Sequence, residues 1–187
     1  MGRLSMIITS LTQQTLNRHA ARALDILDRY WKDLARDSDI PLWSMVDPGA
    51  FQDALDHAFL AERYGRYHAR IRVAGGAVAD MCGTDCDGLP LSLWIRQDNR
   101  AAFNDALQRC CEHRHAVALE LVSDTNICAR MVLYPLRDTT GRVTQILGGL
   151  APVSDASQKA GQFGLARITT HATPATKVTL RLVVDNT

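Results

Sequence analysis

The sequence predicts an α+β fold: a five-stranded antiparallel sheet with helices on one face, an amphipathic helix before it and one extra strand after it. Three observations carry this. Segments 67–73, 116–123 and 127–136 alternate apolar and polar residues with the period of a half-buried strand, and 143–150 follows as the last core strand. Residues 16–36 repeat apolar side chains at three- and four-residue steps, the period of a helix packed along one side. The elements also come in the order strand, strand, helices, strand, strand, strand, which gathers the helices into one layer over a shared core.

In the first helix Leu16, Ala20, Leu24, Leu27, Trp31 and Leu34 form one stripe, with Arg18, Arg22, Asp25, Arg29, Lys32 and Asp33 opposite. Asp25–Arg29, Asp28–Lys32 and Arg29–Asp33 stand at i,i+4 spacing, which supports a helix surface. Ala23, Ile26 and Tyr30 widen the apolar arc, so the helix has surface both for its own domain and for a second copy. Leu24, Leu27, Tyr30, Trp31 and Leu34 are the candidate dimer-helix residues. After Ser38-Asp39 a linker with two prolines leads to Asp47-Pro48, where proline in the first turn opens a short helix reaching about residue 57. Residues 58–65 read as the first strand, joined through Gly65-Arg66 to the second as a tight hairpin.

Residues 67–94 are the centre of the fold. Tyr67, Ala69, Ile71 and Val73 point one way and His68, Arg70 and Arg72 the other, until Gly75-Gly76 ends the strand. A short helix over 76–82 follows, then a connection punctuated by Gly83 and Gly88, where backbone needs positive φ or close packing. Residues 90–95 are helical at their edges. Asp98 caps a helix that buries Phe103, Leu107, Cys110 and Cys111 and turns Arg100 and Asp105 outward. Three strands complete the sheet, with turns at 124–126 and 137–142. Residues 152–164 are small and polar. The tail then alternates again at Val178, Leu180, Leu182 and Val184, a strand that needs a sheet edge or a second subunit to pair with. The organisation expected is an extension and helix over 1–37, a core over 38–153, and a linker and strand over 154–187.

Tyr67, Arg70, Ile71, Arg72, Val73, Ala74 and Gly75, then Val78, Met81, Cys82, Gly83, Gly88, Leu91 and Trp94, resemble the core block of PAS domains. Upstream, Tyr30, Trp31, Leu34, Pro41, Asp47 and Pro48 are similar to a second block of the stand-alone single-PAS family of bacteria, found mainly in alphaproteobacteria. The segment Leu42-Trp43-Ser44 lacks an arginine usual in that family. The resemblance covers about residues 28–153. It implies a PAS-like sheet, a signalling role, and a flanking amino-terminal helix that dimerises.

Composition narrows the class. The 187 residues suit one well-cored domain with extensions, and 47% hydrophobic with 22% charged residues is ordinary for a globular protein. A net charge of +1 gives no drive toward nucleic acid, and no apolar run is long enough for a membrane span. Near the start the apolar patch is only Met6-Ile7-Ile8, too short for a secretory signal. Five cysteines, an odd number, fit reduced thiols and a cytoplasmic setting.

The candidate binding site is the cupped interior, where Tyr67, Ala69, Ile71, Leu119, Leu121, Met131, Leu133 and Leu147 of the strands face Met81, Cys82, Trp94, Phe103 and Leu107 of the helices. Such a cup either leaves an apolar cavity for a small molecule or packs solid with its large side chains. No motif indicates a cofactor. Cys82-x₃-Cys86 has the spacing of one half of a zinc site, but Cys110 and Cys111 lie on a core stripe and His68, His113 and His115 do not point into the cup, so no metal or haem ligand set is assigned. Asp85-Cys86-Asp87-Gly88 falls short of a calcium loop, and Arg66, Arg70 and Arg72 read as the solvent face of a strand. The motifs of serine hydrolases, P-loop enzymes, dinucleotide binders and zinc peptidases are missing, as is the reactive-cysteine motif of flavin photoreceptors.

The function expected is a non-catalytic signalling or regulatory module. It would act as a homodimer and through contacts with another signalling protein, sensing a small molecule if the cup is open. Two alternatives differ in class. A small cone-shaped α+β enzyme would need acid and base groups in the cup, and the inward positions contain none. A metal- or haem-binding sensor would bring colour or bound metal. Nucleic acid is not an expected partner.

Overall fold

The computed structural model describes residues 2–36, 40–83, 85–122, 127–153 and 162–172, with side chains from residue 18 onward. Helix α1 (Gly2–Leu34) comes first, then short 3-10 segments at Trp43–Met45 and Pro48–His57. Strands β1 (Ala58–Arg63) and β2 (Ala69–Ala74), helix α2 (Gly76–Cys82), 3-10 turns at Leu91–Trp94 and Gln97–Asn99, and helix α3 (Arg100–Cys111) follow. Strands β3 (His115–Val122), β4 (Ile127–Arg137), β5 (Val143–Pro152) and β6 (Gly164–Ala172) complete the sheet. All neighbours pair antiparallel, in the order β2-β1-β5-β4-β3-β6.

The sheet carries a helical layer on each face, and two adjacent glycines of β5 show how. Consecutive strand residues point to opposite sides. At Gly149 a Cβ would stand 2.7 Å from both Leu24 Cδ2 and Leu27 Cδ1 of α1. At Gly148 it would stand 2.1 Å from Phe59 Cζ, and Phe59 packs against Trp94 at 5.9 Å between ring centroids. Helix α1 therefore lies on the outer face, while α2, α3 and the 3-10 turns close a cup on the inner one.

The tie between α1 and the sheet is polar as well as apolar. Trp31 Nε1 donates to the carbonyl of Pro135 on β4 at 3.0 Å, and its ring stacks on Tyr134 at 5.4 Å. Tyr30, on the flank of α1, accepts from the Asp47 amide at 2.7 Å and meets Phe51 at 4.7 Å. Asp47 accepts from the Gly49 amide at 2.9 Å, which starts the turn at Pro48 as the sequence predicts.

Several elements differ from the expectation. The extra strand after the core is Gly164–Ala172, on the β3 edge; the alternating positions Val178 to Val184 lie outside the described residues. The β1–β2 connection is a five-residue turn, not a tight hairpin, and β2 starts at Ala69. A bulge at the Leu60/Ala61 register step leaves Arg72 without an opposite residue, so Val73 faces solvent instead of following Ile71. Asp98 does not cap α3. It sits in the preceding turn with Arg96 at 3.8 Å, and the adjacent Asn99 uses its Oδ1 to accept from the Leu165 amide at 2.8 Å. Gly83 ends α2 at φ 71°, where its amide reaches Ala79 and Asp80, and Gly88 turns at φ 75°.

Candidate functional site

The cup is the first place to look. Ala69, Ile71, Leu119, Leu121, Met131 and Leu133 all face it and are buried, as are Trp94, Phe103 and Leu107 above them. Met81 is half-buried at its margin; the Cys82 side chain lies outside the described residues. Two positions do not belong. Tyr67 falls in the β1–β2 turn, half-buried under Arg66 at 5.4 Å, because the strand starts two residues later. Leu147 shares its parity with Gly149, so it points to the outer face, paired between Leu60 and Tyr134. Gly148 and the buried Ile146 and Leu150 are the β5 residues that face the cup.

The interior is taken up by the chain's own side chains. Phe59, Trp94, Phe103, Leu119, Leu121 and Met131 are essentially free of solvent contact. Among the described residues no polar or charged residue is buried. One polar atom inside the cup is left over: Trp94 Nε1 has no acceptor. Phe163 closes the rim, its amide donating to the Trp94 carbonyl at 2.6 Å and its carbonyl accepting from Arg96 at 2.8 Å.

The open space is on the other face. Between α1 and the outward sides of β4, β3 and β6 runs a groove of about 450 Å³, in the size range of a binding site. Its floor is Ala118, Val132 and Ala151, and its walls carry Asp25 and Asp28 of α1 and His171 of β6. Asp28 is engaged twice, by Lys32 Nζ at 2.6 Å and by the Tyr134 hydroxyl, which donates at 3.2 Å. Burial, with the Asp28 carboxylate next, pushes the Tyr134 phenol well above its ordinary range.

The dimer-helix candidates have partners within the chain. Leu24, Leu27 and Trp31 are buried against the outer face, Tyr30 is half-buried at the turn before β1, and Leu34 is half-buried at the helix end. Cys86, Cys110, Cys111 and Cys128 are all buried, and the Cys128 thiol donates to the Leu121 carbonyl at 3.4 Å. Among the described residues no three His, Cys, Asp or Glu side chains gather as a metal site. None of the described helices is long and apolar enough to cross a membrane.

Sequence reasoning did not find the groove. Its walls come from α1 and β6, and nothing in the sequence says which face of the sheet α1 covers.

A family model described as a PAS domain matches residues 19–151. Among solved structures, a light-oxygen-voltage domain studied with a flavin analogue is similar at 18% identity, over 57% of this chain and 84% of that one, with a TM-score of 0.38. No curated protein matches.

Proposed function

The chain belongs to the PAS domain family, and on that premise we propose that it is a non-catalytic regulatory module acting as a homodimer and through contacts with another signalling protein. A sensory or regulatory role fits the family. The observation that carries the reading is the Gly148–Gly149 step, where the ring of Phe59 and the side chains of Leu24 and Leu27 fill the space on opposite sides of one strand. A shift of the cup, felt through Phe59, is one residue away from the seat of α1. Two packings of α1 on the sheet would then differ in the surface offered to a partner, and whatever binds one packing better shifts the population toward it.

A second reading is favoured by Trp94. Its buried Nε1–H lacks an acceptor, and a small molecule bearing one, accommodated by movement of the packed interior, would make the module a sensor. A buried donor left unpaired costs about 1–3 kcal/mol, so such a ligand has something to gain there.

Native and denaturing mass spectrometry of freshly purified protein, with an absorption spectrum, tests both. A native mass of twice 20.6 kDa is expected. A single-chain mass at tens of micromolar would overturn the homodimer. An adduct present only in the native spectrum would support the sensor reading, and identical native and denatured chain masses would remove it.

A further inference from the structure

We propose that the end of the sheet where the β1–β2 turn, the α3–β3 loop and the β4–β5 turn meet is a docking surface for an acidic, carboxylate-rich segment of a partner protein. The proposal rests on the reading of the chain as a module that works through contact with another protein, and gives that partner its chemistry. Residues 63–70, 109–114 and 137–142 carry seven arginines, no lysine and two acidic side chains. The whole chain has a net charge of only +1, so its remainder is net negative and positive charge is gathered at this end.

The three connections are tied into one surface. Arg63, at the end of β1, pairs with Glu112 after α3. Arg63 holds the Glu112 carboxylate below its ordinary range, and Arg66 and His113 add to this, so both stand beside it. Arg114 then donates to the carbonyl of Gly141 in the β4–β5 turn at 3.0 Å. Among the described residues Arg114 is the one non-glycine residue at positive φ, 59°. Glycine would take that conformation without strain, so an arginine there keeps a charged side chain against the backbone's preference.

The acidic side chains at this end are already engaged. Glu62 takes Arg70 and Arg72, and Glu112 takes Arg63. Asp138 spends its Oδ1 on the Thr140 amide and hydroxyl and on the Arg142 amide of its own turn. Arg109 shares its face of α3 with Asp105, one turn before it. Arg66 and Arg142 are exposed, and their guanidinium groups have no ion pair or hydrogen bond among the described residues.

The neighbouring side chains choose a peptide. Arg66 lies over the Tyr67 ring at 5.4 Å, and Arg70 over Tyr64 at 6.0 Å. Tyr64 is 53% exposed and stacks on His68 at 5.7 Å. Tyrosine and arginine are the residue types that dominate protein–protein contacts, and a guanidinium fork meets a carboxylate with two parallel hydrogen bonds. A nucleic-acid duplex would run past this end onto the net negative remainder of the chain. A short acidic segment stays within it.

The experiment follows the fluorescence anisotropy of a labelled peptide of about twelve residues, half of them glutamate, against the full chain at low and at physiological salt. The same peptide with glutamine for glutamate, and a labelled DNA duplex of about twelve base pairs, are the comparisons. Arg66→Glu and Arg142→Glu are combined in one chain, and Arg18→Glu with Arg22→Glu, exposed on α1, is the control of equal net charge. Circular dichroism and thermal melts check that each folds. The natural chain should bind the glutamate peptide on the order of tenfold or more tightly than the glutamine one, and less tightly as salt rises. The Arg66/Arg142 variant should lose on the order of tenfold or more of that affinity, and the control should keep most of it. Native mass spectra of the same samples read the homodimer separately, so a single-chain mass would remove that reading without touching the peptide result. Equal losses in the two variants would mean that the peptide follows net charge alone, and would overturn the surface. A duplex bound more tightly than the peptide, and released by the Arg66/Arg142 change, would overturn the acidic peptide as occupant in favour of nucleic acid. A natural chain that ignores the peptide at hundreds of micromolar would overturn the proposal and leave a partner contact through α1 standing.

Discussion

Phe59 lays its ring where Gly148 has no side chain: a Cβ on that glycine would stand 2.1 Å from Cζ and 2.3 Å from Cε2. The ring also packs against Trp94, at 5.9 Å between ring centroids, so it has little room to yield. Gly149 meets the mobile ends of Leu24 and Leu27 instead, at 2.7 Å. At Gly75 the same Cβ would sit 1.9 Å from the Leu55 carbonyl oxygen, which is backbone.

These contacts rank three alanine substitutions. Gly75→Ala should be the most damaging, Gly148→Ala next and Gly149→Ala mildest, with overpacking costs of about 1–3 kcal/mol for the glycines of β5. Urea denaturation of the three variants reads the order. Gly148→Ala should also change the fluorescence of Trp94 relative to the natural chain, and Gly149→Ala should leave it closer to natural. The reverse order would mean that α1, not the cup, is the rigid side.

Trp31 offers a separation of hydrogen bonding from packing. Trp31→Phe keeps a ring against Tyr134 but removes the donor to Pro135, leaving a buried carbonyl without its partner, at about 1–3 kcal/mol. Trp43→Phe is the control, since Trp43 is 48% exposed and a surface change of this kind falls within about 0.5 kcal/mol. Leu27→Ala, at a fully buried site, should cost about 2–5 kcal/mol. These losses should be independent of protein concentration, because the contacts lie within one chain. A loss that vanishes on dilution would place Leu27 or Trp31 at an interface instead.

How much of this was legible in the sequence depends on periodicity. β1 to β5 and the core stripe of α3 follow from the spacing of apolar residues, and so does the Leu24–Leu27–Trp31 stripe of α1. Leu147 was misplaced because Val143–Pro152 is covered on both faces, the outer one by α1; a strand apolar on both sides gives no parity to read. β6 was missed because the register shifts at Glu120/Leu121. Leu165 pairs with Leu121 and Ile168 with Leu119, so two residues three apart both face the cup and the period of two is broken. The groove was invisible for a different reason: its walls stand on α1 and β6, and no spacing of residues says that these two flank one face of the sheet.

The thiols give a test of the core. Cys86, Cys110, Cys111 and Cys128 are buried, and burial holds the Cys110 thiol well above its ordinary range, so little of it is reactive thiolate. Of the five cysteines in the chain, at most one should react quickly with a thiol-disulfide reagent in native buffer, and all five in denaturant. Two or more fast equivalents in the native state would mean that the cup opens on the timescale of the reaction.

Tyr134 links stability to pH. Its phenol is raised first by burial and then by the nearby Asp28 carboxylate, to which it donates at 3.2 Å. The folded chain therefore keeps a proton that the unfolded chain gives up at about pH 10. The contribution is complete below about pH 10 and is lost as the pH rises above it, because there the unfolded state gains from ionising and the folded state does not. Tyr30 is raised in the same direction by burial and adds to the trend. The urea midpoint of the natural chain should fall between pH 9 and pH 11, and Tyr134→Phe should fall less over the same interval, having no proton to lose. An equal fall in the two chains would mean that Tyr134 ionises as readily in the folded state as in the unfolded one, and that the outer face admits hydroxide and water where Trp31 and Asp28 enclose it.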